Sequence, residues 1–399
     1  MIETVLIRVP SRASDLIFGR PLLERLILIC ERAGVKRFFI EGPGGHAMDE
    51  ALGDFRGNPK VGLVDSLDEL FAPPFGIERD RPCLAMAGNL VLARSQLDRM
   101  IATHAAAPDR VIKLASGGDG NGMLATGPIG EVLQELGKQT AITASGAVHR
   151  YALPPYALLP YALDGRPEDG REAELRLARS VRFETVGKDG ILARLLDRKV
   201  SWRISYRLGR TAITPNQVTL FNTALGFLSA AMFSLPSYWW RLLGSILFLA
   251  GVTIDGVDGE LARLKMCETE WGGKLDMITD NIVHVALFVG LMVGCYRASG
   301  NPAYFYLLPI LLVGFAACAA GVALAVKDKG ASAAFLARLE RMSSRDFAYL
   351  LVILALFNHL EYFAWGSAFG TYAFALGIWW FGRRTRADQT VPGSDCPTG

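Results

Sequence analysis

The sequence predicts an α/β N-terminal domain built on a Rossmann-type sheet, followed by an all-α membrane domain. Two observations carry this. Charged residues are frequent up to about Arg210, whereas from Val218 to Trp380 long apolar runs alternate with short polar breaks. Before that change, short apolar runs alternate with amphipathic stretches, as strand and helix units do. A chain of 399 residues also has room for two or three domains of ordinary size.

In the first part, Thr4 to Val9 reads as a strand, Pro21 to Ala33 as a helix and Val35 to Glu41 as a second strand. Val61 to Val64, Pro82 to Met86 and Arg110 to Leu114 supply further short strands, so the expected product is a mainly parallel sheet between helix layers. The start of the chain has no basic segment followed by a long apolar core, so it is not read as a secretory signal. The order strand, helix from Arg20-Pro21-Leu22-Leu23, Arg32-Ala33-Gly34-Val35 and strand resembles the opening of sugar-phosphate nucleotidyltransferases. Such enzymes hold the nucleotide with a glycine-rich basic loop and bind metal through a later Asp. Here the first loop, Pro10 to Asp15, has no glycine, and Ala87-Gly88-Asn89 offers an amide where the carboxylate is expected. The resemblance and its two departures imply a nucleotidyltransferase-like but degenerate cytoplasmic domain over residues 1–150.

Residues 151–187 read as a linker, in which Tyr-Ala-Leu recurs among prolines before a charged stretch. Residues 188–212 read as a basic amphipathic juxtamembrane helix. Leu192, Leu195, Leu196 and Ile204 share an apolar face, and Arg194, Arg198, Lys199, Arg203, Arg207 and Arg210 make the remainder cationic, which suits an anionic headgroup layer. Residues 213–384 form the expected membrane domain of about six spans, near Asn216–Leu235, Tyr238–Ile254, Met277–Tyr296, Ala303–Val326, Phe347–Trp365 and Ala368–Phe381. Residues 385–399 are the expected flexible tail. Lys and Arg cluster after the second, fourth and sixth segments, whereas Arg241 and Arg297 stand on the other side. Retention of basic loops in the cytoplasm then gives a multi-pass protein of the cell's inner membrane, with both termini and the acidic cluster described next on the cytoplasmic face.

The net charge of +3 is too small, and its basic residues too local, for a nucleic-acid-binding face. The six cysteines lack the paired spacing of a zinc site or a disulfide framework.

Chemistry concentrates in Asp255-Gly256-Val257-Asp258-Gly259-Glu260-Leu261-Ala262-Arg263 and, eight residues later, Gly272-Gly273-Lys274-Leu275-Asp276 to Asp280. Asp255 and Asp258 are three apart at the end of one apolar helix, and Asp276 and Asp280 four apart at the start of the next, so each pair shares a helix face. A short connection folds the helices together, and the four carboxylates converge. Four close anions in a low dielectric demand cations. Oxygen ligands of this hardness suit Mg2+ or Mn2+, two of which could grip a diphosphate. Gly256 and Gly259 leave room for a nucleotide or a facing helix, and Arg263 can pair with phosphate.

The spacing Asp-x2-Asp-Gly-x2-Ala-Arg-x8-Gly-x3-Asp-x3-Asp resembles the signature of CDP-alcohol phosphotransferases at every fixed position, and Thr214-Pro-Asn-Gln-Val-Thr219 resembles the same family's entry to the first membrane helix. The resemblance implies a cytidine diphosphate site and CMP as leaving group. It also implies metal ligation by Asp255, Asp258 and Asp276, a nucleotide wall of Gly259, Ala262 and Arg263, and a general base at Asp280 that also touches metal. The fusion of a nucleotidyltransferase-like domain, Lys188-Asp-Gly-Ile-Leu-Ala-Arg194 and this membrane domain resembles the branch containing di-myo-inositol phosphate phosphate synthases.

The expected activity is transfer of a substituted phosphate from a CDP-alcohol, CDP-diacylglycerol or a related CDP-lipid, to an acceptor hydroxyl in phospholipid or phosphodiester biosynthesis. Alternatives are a bifunctional cytidylyltransferase/phosphotransferase making an inositol phosphodiester, and a non-catalytic nucleotide-binding membrane scaffold. Asn216 either reaches the nucleotide or caps its helix, and His284 either tunes Asp280 or is a hydrogen-bonded helix histidine. Arg338, Arg341 and Arg345 are spaced to form one cationic face for an acceptor phosphate. The partners expected are the CDP-alcohol, a phosphorylated acceptor alcohol, membrane lipid and a second copy in a homodimer, with no nucleic acid.

Overall fold

The computed structural model describes residues 2–9, 15–42, 44–106, 108, 111–115, 123–137, 149–150, 159–163, 166, 168–185, 198–327 and 347–389. The chain divides into two compact units. The first comprises Met1–Glu184 with Ser205–Ala212 and Glu260–Cys267; the second comprises Thr185–Ile204, Ile213–Gly259 and Glu268–Gly399.

The first unit is built around a seven-stranded sheet. In chain order the strands are β1 (Thr4–Arg8), the short hairpin β2 (Leu16–Ile17) and β3 (Arg20–Pro21), β4 (Arg37–Glu41), β5 (Val61–Val64), β6 (Pro82–Ala87), β7 (Leu90–Val91), β8 (Ile112–Ala115), β9 (Met123–Pro128), β10 (His149–Arg150) and β11 (Tyr161–Ala162). The large sheet runs β10-β8-β9-β6-β1-β4-β5, and β7 pairs with β11. β1 lies parallel to both β4 and β6, and β4 is parallel to β5, so the centre is parallel as expected. β9 inserts antiparallel between β6 and β8.

Alternation along β1 divides the core. Val5 and Ile7 pack with Leu23, Leu26 and Ile27 of α1 (Leu22–Arg32), whereas Leu6 packs on the opposite face with Leu67, Leu70 and Val132. With both faces covered, Thr4 to Ile7 are all buried, which is why Val5-Leu6-Ile7 run apolar without polar alternation. The helices that follow are α2 (His46–Leu52), α3 (Arg94–Ala106), α4 (Ile129–Gly137) and α5 (Asp169–Thr185). The last of these lies in the stretch expected as a linker and buries Ala173, Leu177, Ala178 and Val181. The loop Pro10–Ser14 and most of the Tyr-Ala-Leu repeat lie outside the described residues. Asn89 is used structurally: its side-chain amide donates to the Leu163 carbonyl at 2.9 Å, and its backbone carbonyl accepts from the Leu163 N–H at 3.0 Å.

Helix α6 (Arg198–Gly209) starts within the second unit and ends in the first. The helical region continues with α7 (Pro215–Phe233), α8 (Tyr238–Lys265), α9 (Glu270–Ser299), α10 (Ala303–Lys327), α11 (Phe347–Leu356) and α12 (Leu360–Gln389). Among the described residues three stretches are long and apolar enough to cross a membrane: α8, α9 and Ala303–Gly321, with mean hydropathies of 1.5, 1.7 and 2.0. The expected fifth segment, Phe347 to Trp365, is not one helix. It breaks at Phe357–His359 because Asn358 adopts φ +57, and the His359 N–H closes back on the Leu354 carbonyl at 2.7 Å. Asn is among the few side chains that tolerate this left-handed terminator.

Candidate active site

The second unit assembles the acidic motif from two consecutive helices. α8 stops where Met266 takes φ +56 and the Cys267 N–H bonds the Ala262 carbonyl at 3.0 Å. α9 begins after Thr269, whose hydroxyl accepts from the Gly272 N–H at 3.0 Å. Asp255 and Asp258 therefore ride the last turns of α8, and Asp276 and Asp280 the first turns of α9. Carboxylate oxygens of Asp255, Asp276 and Asp280 all lie within 4.8 Å of one another. Asp258 is within hydrogen-bonding reach of Asp276.

Helix α7 orients the α8 pair. Thr219 Oγ1 donates to Asp258 Oδ2 at 2.5 Å, and Asn222 Nδ2 donates to Asp255 Oδ1 at 3.4 Å. Thr219 and Asn222 are three apart, as are Asp255 and Asp258, so two neighbouring helices present matched rungs. The second Asp258 oxygen accepts from the Gly259 N–H at 2.5 Å. Asp255 and Asp258 are each only 8% exposed. Sequence reasoning assigned no role to Thr219 or Asn222; they share the three-residue spacing of the α8 aspartates, which is readable only once α7 is known to lie beside α8. Three hard oxygen donors this close, Asp255 among them already oriented by Asn222, fit a divalent cation and no apolar packing role.

Asn222, Gly226, Gly251, Asp255, Asp280 and His284 line a cavity beside these carboxylates. Gly251 keeps it open, since a Cβ there would stand 3.2 Å from Asn222 Oδ1. His284 Nδ1 lies 2.8 Å from the Asp280 carbonyl oxygen, and its ring packs in one cluster with those of Phe248 and Phe347. Its place is that of a hydrogen-bonded helix histidine at the cavity wall.

The helix cap, for which Asn216 was one candidate, comes from Thr214. The Thr214 hydroxyl accepts from the Gln217 N–H, the Gln217 side chain accepts from the Thr214 N–H, and Pro215 opens the helix. Asn216 is thereby free of that duty, and its Oδ1 stands 3.3 Å from where a Cβ on Gly272 would be. Ala262 and Arg263 follow Gly259 on α8. Arg263 Nε is buried and has no hydrogen-bond partner among the described residues. Arg338, Arg341 and Arg345 lie outside the described residues.

Comparison with known proteins bears on the same helices. Residues 212–379 match the family described as CDP-alcohol phosphatidyltransferase. Over 146 residues the chain is 34% identical to a bifunctional IPC transferase and DIPP synthase of Thermococcus kodakarensis, covering 35% of this chain and 32% of that protein. A protein of the same name from Aquifex aeolicus is 41% identical over 104 residues, 26% of this chain and 23% of its own length. A phosphatidylinositol phosphate synthase of Mycobacteroides abscessus is 31% identical over 104 residues, 26% of this chain and 46% of its own. The aligned part thus spans between about a quarter and a half of each relative.

Proposed function

We propose that this chain, whose residues 212–379 match the family described as CDP-alcohol phosphatidyltransferase, is a membrane enzyme that moves a substituted phosphate from a CDP-alcohol to an acceptor hydroxyl and releases CMP. The observation that carries it is the convergence of Asp255, Asp276 and Asp280, with Asp258 tied to Thr219 beside them.

Asp255, Asp258, Asp276 and Asp280 would hold two Mg2+ or Mn2+ ions, which supply neutralisation of the diphosphate and stabilisation of the departing phosphate oxygen. The protein's own groups do the rest. Gly259 and Ala262 leave the nucleotide space, Asn216 and Arg263 donate to it, and Asp280 takes the proton from the acceptor hydroxyl. The hydroxyl oxygen then bonds to phosphorus as the bond to the CMP oxygen breaks. A CDP-lipid such as CDP-diacylglycerol is the proposed donor, supported by the apolar length of α8 and α9. Six spans with the site and both termini in the cytoplasm complete the proposed topology, on the strength of the basic loops. The test is CMP release by the full chain with a panel of CDP-donors and inositol phosphate, glycerol phosphate, inositol or lipid acceptors. No CMP from any pair would leave the scaffold alternative standing, and pyrophosphate release from CTP would favour the bifunctional one.

The acceptor is proposed to carry a phosphate, because one relative is named a phosphatidylinositol phosphate synthase and Arg338, Arg341 and Arg345 recur at helical spacing. Arg341→Ala and Arg345→Ala should each raise the acceptor's KM about 10-fold or more, the worth of one charge-assisted hydrogen bond. The donor's KM should hardly move. Equal turnover of inositol and inositol phosphate by the wild type would remove the phosphate pocket.

A further inference from the structure

The end of α8 carries a feature that the transfer chemistry does not use. A helix leaves its last four carbonyls without partners from its own N–H groups. Here the Ala262 and Arg263 carbonyls are taken by the N–H groups of Cys267 and Met266, at 3.0 and 3.3 Å. The next three each meet an arginine from the same compact unit. Arg25 Nη1 donates to the Leu264 carbonyl at 2.5 Å, Arg20 Nε to that of Lys265 at 3.0 Å and Arg32 Nη2 to that of Met266 at 3.0 Å. Arg25 and Arg32 stand seven residues apart on α1, two helical turns, so they project from one face.

Arg25 is only 3% exposed, set in a helix whose other buried residues include Leu22, Leu23, Leu26 and Ile27. Burying an always-ionised guanidinium is costly unless it is well compensated. Its compensation is the negative end of α8, the Ile17 carbonyl at 3.4 Å, and the nearby carboxylates of Glu24 and Glu174. The flanks are fixed as well: Ser205 Oγ donates to the buried Glu260 at 2.6 Å, and Lys265 Nζ donates to the Thr211 carbonyl at 2.6 Å. The β2–β3 hairpin that presents Arg20 turns through Phe18 and Gly19, at φ +50 and +79, and buries the Phe18 ring against Tyr206. A segment that spends this much polar machinery on one helix terminus specifies where that terminus lies.

We propose that Arg20, Arg25 and Arg32 are positioning residues that fix the last turn of α8, and with it Arg263, one residue before Leu264. On this view the first unit holds its own segment of α8, Glu260–Cys267, with an arginine clamp. The proposal rests on the transfer reading only where Arg263 is taken to hold a donor phosphate.

The experiment uses the full chain in detergent with Arg25→Met, Arg25→Lys and Arg32→Ala. The last covers the case in which the Arg25→Met protein does not fold, because Arg32 is only half-buried. Hydrogen exchange followed by mass spectrometry on the peptide spanning 260–267 should quicken at least about 10-fold in Arg25→Met, the loss expected for one charge-assisted hydrogen bond. It should recover in part in Arg25→Lys. Mg2+-dependent binding of CDP should weaken by a similar factor, while kcat at saturating donor changes less than about 2-fold, since the clamp acts on ground-state placement. Unchanged exchange at 260–267 would overturn the clamp. Faster exchange with unaltered CDP binding would overturn its positioning role. A wild type that releases no CMP would defeat the transfer reading instead, and the exchange data would still decide the clamp.

Discussion

Asp280→Asn is expected to cut CMP release by at least about 100-fold while Mg2+-dependent CDP binding largely persists. Asp280 stands one turn after Asp276 on α9, its carboxylate joins those of Asp255 and Asp276, and it also lines the cavity shared with Asn222 and His284. Among the grouped carboxylates it is the one a helical turn further along α9, and it is proposed to receive the acceptor's proton. The amide keeps the size of the side chain and one neutral oxygen that can still ligate, but it cannot accept a proton. A positioned base contributes on the order of 100-fold or more. Asp255 and Asp258 keep their Asn222 and Thr219 supports in the variant, so the remaining ligands stay oriented. Activity above about a tenth of wild type would remove Asp280 from the base role. Collapse of CDP affinity along with turnover would make it chiefly a metal ligand.

The aspartates were legible in the sequence because the chemistry itself dictates their spacing: two pairs, each on one helix face, separated by a connection too short to let the helices diverge. Their supports were not legible. Thr219 and Asn222 gain meaning only once α7 lies against α8, and no local signal states that adjacency. The same holds for Arg25, since an arginine in an amphipathic helix is expected to face water, and its burial follows from a helix end more than 200 residues away. In the sheet, apolar β-branched runs such as Thr4-Val5-Leu6-Ile7 declared themselves. β9, with the sequence Met-Leu-Ala-Thr-Gly-Pro, did not. Its small residues have little strand propensity, and it is held by ladders on both sides and by Thr126 Oγ1 donating to the Cys83 carbonyl at 2.9 Å. The break at Asn358 was hidden for a related reason, because the short polar interruption Asn358-His359 lies within a longer apolar stretch and only the backbone conformation reveals the end of a helix.

Gly294→Leu is expected to be the most destabilising single substitution in the helical unit, with loss of folded protein rather than a selective loss of chemistry. α7 and α9 approach so closely that a Cβ on Gly290 would overlap the Ala230 carbonyl oxygen, and one on Gly294 the Phe233 carbonyl oxygen. The two glycines are four apart and form one ridge of α9, and Gly226 of α7 receives Val283 in the same manner. Because the obstructing atoms belong to the backbone of α7, no rotamer change relieves the overlap and the helices must separate. Ordinary overpacking costs about 1–3 kcal/mol. Separation of α7 from α9 would add the loss of contacts around Phe233, Leu287 and Leu291, which are fully buried. Gly273→Leu is the control, since a Cβ at Gly273 meets nothing within 4 Å on the same helix. Thermal unfolding in detergent should show a large drop in Tm for Gly294→Leu and little for Gly273→Leu. Equal Tm values for the two variants would mean that α7 and α9 do not pack through these glycines.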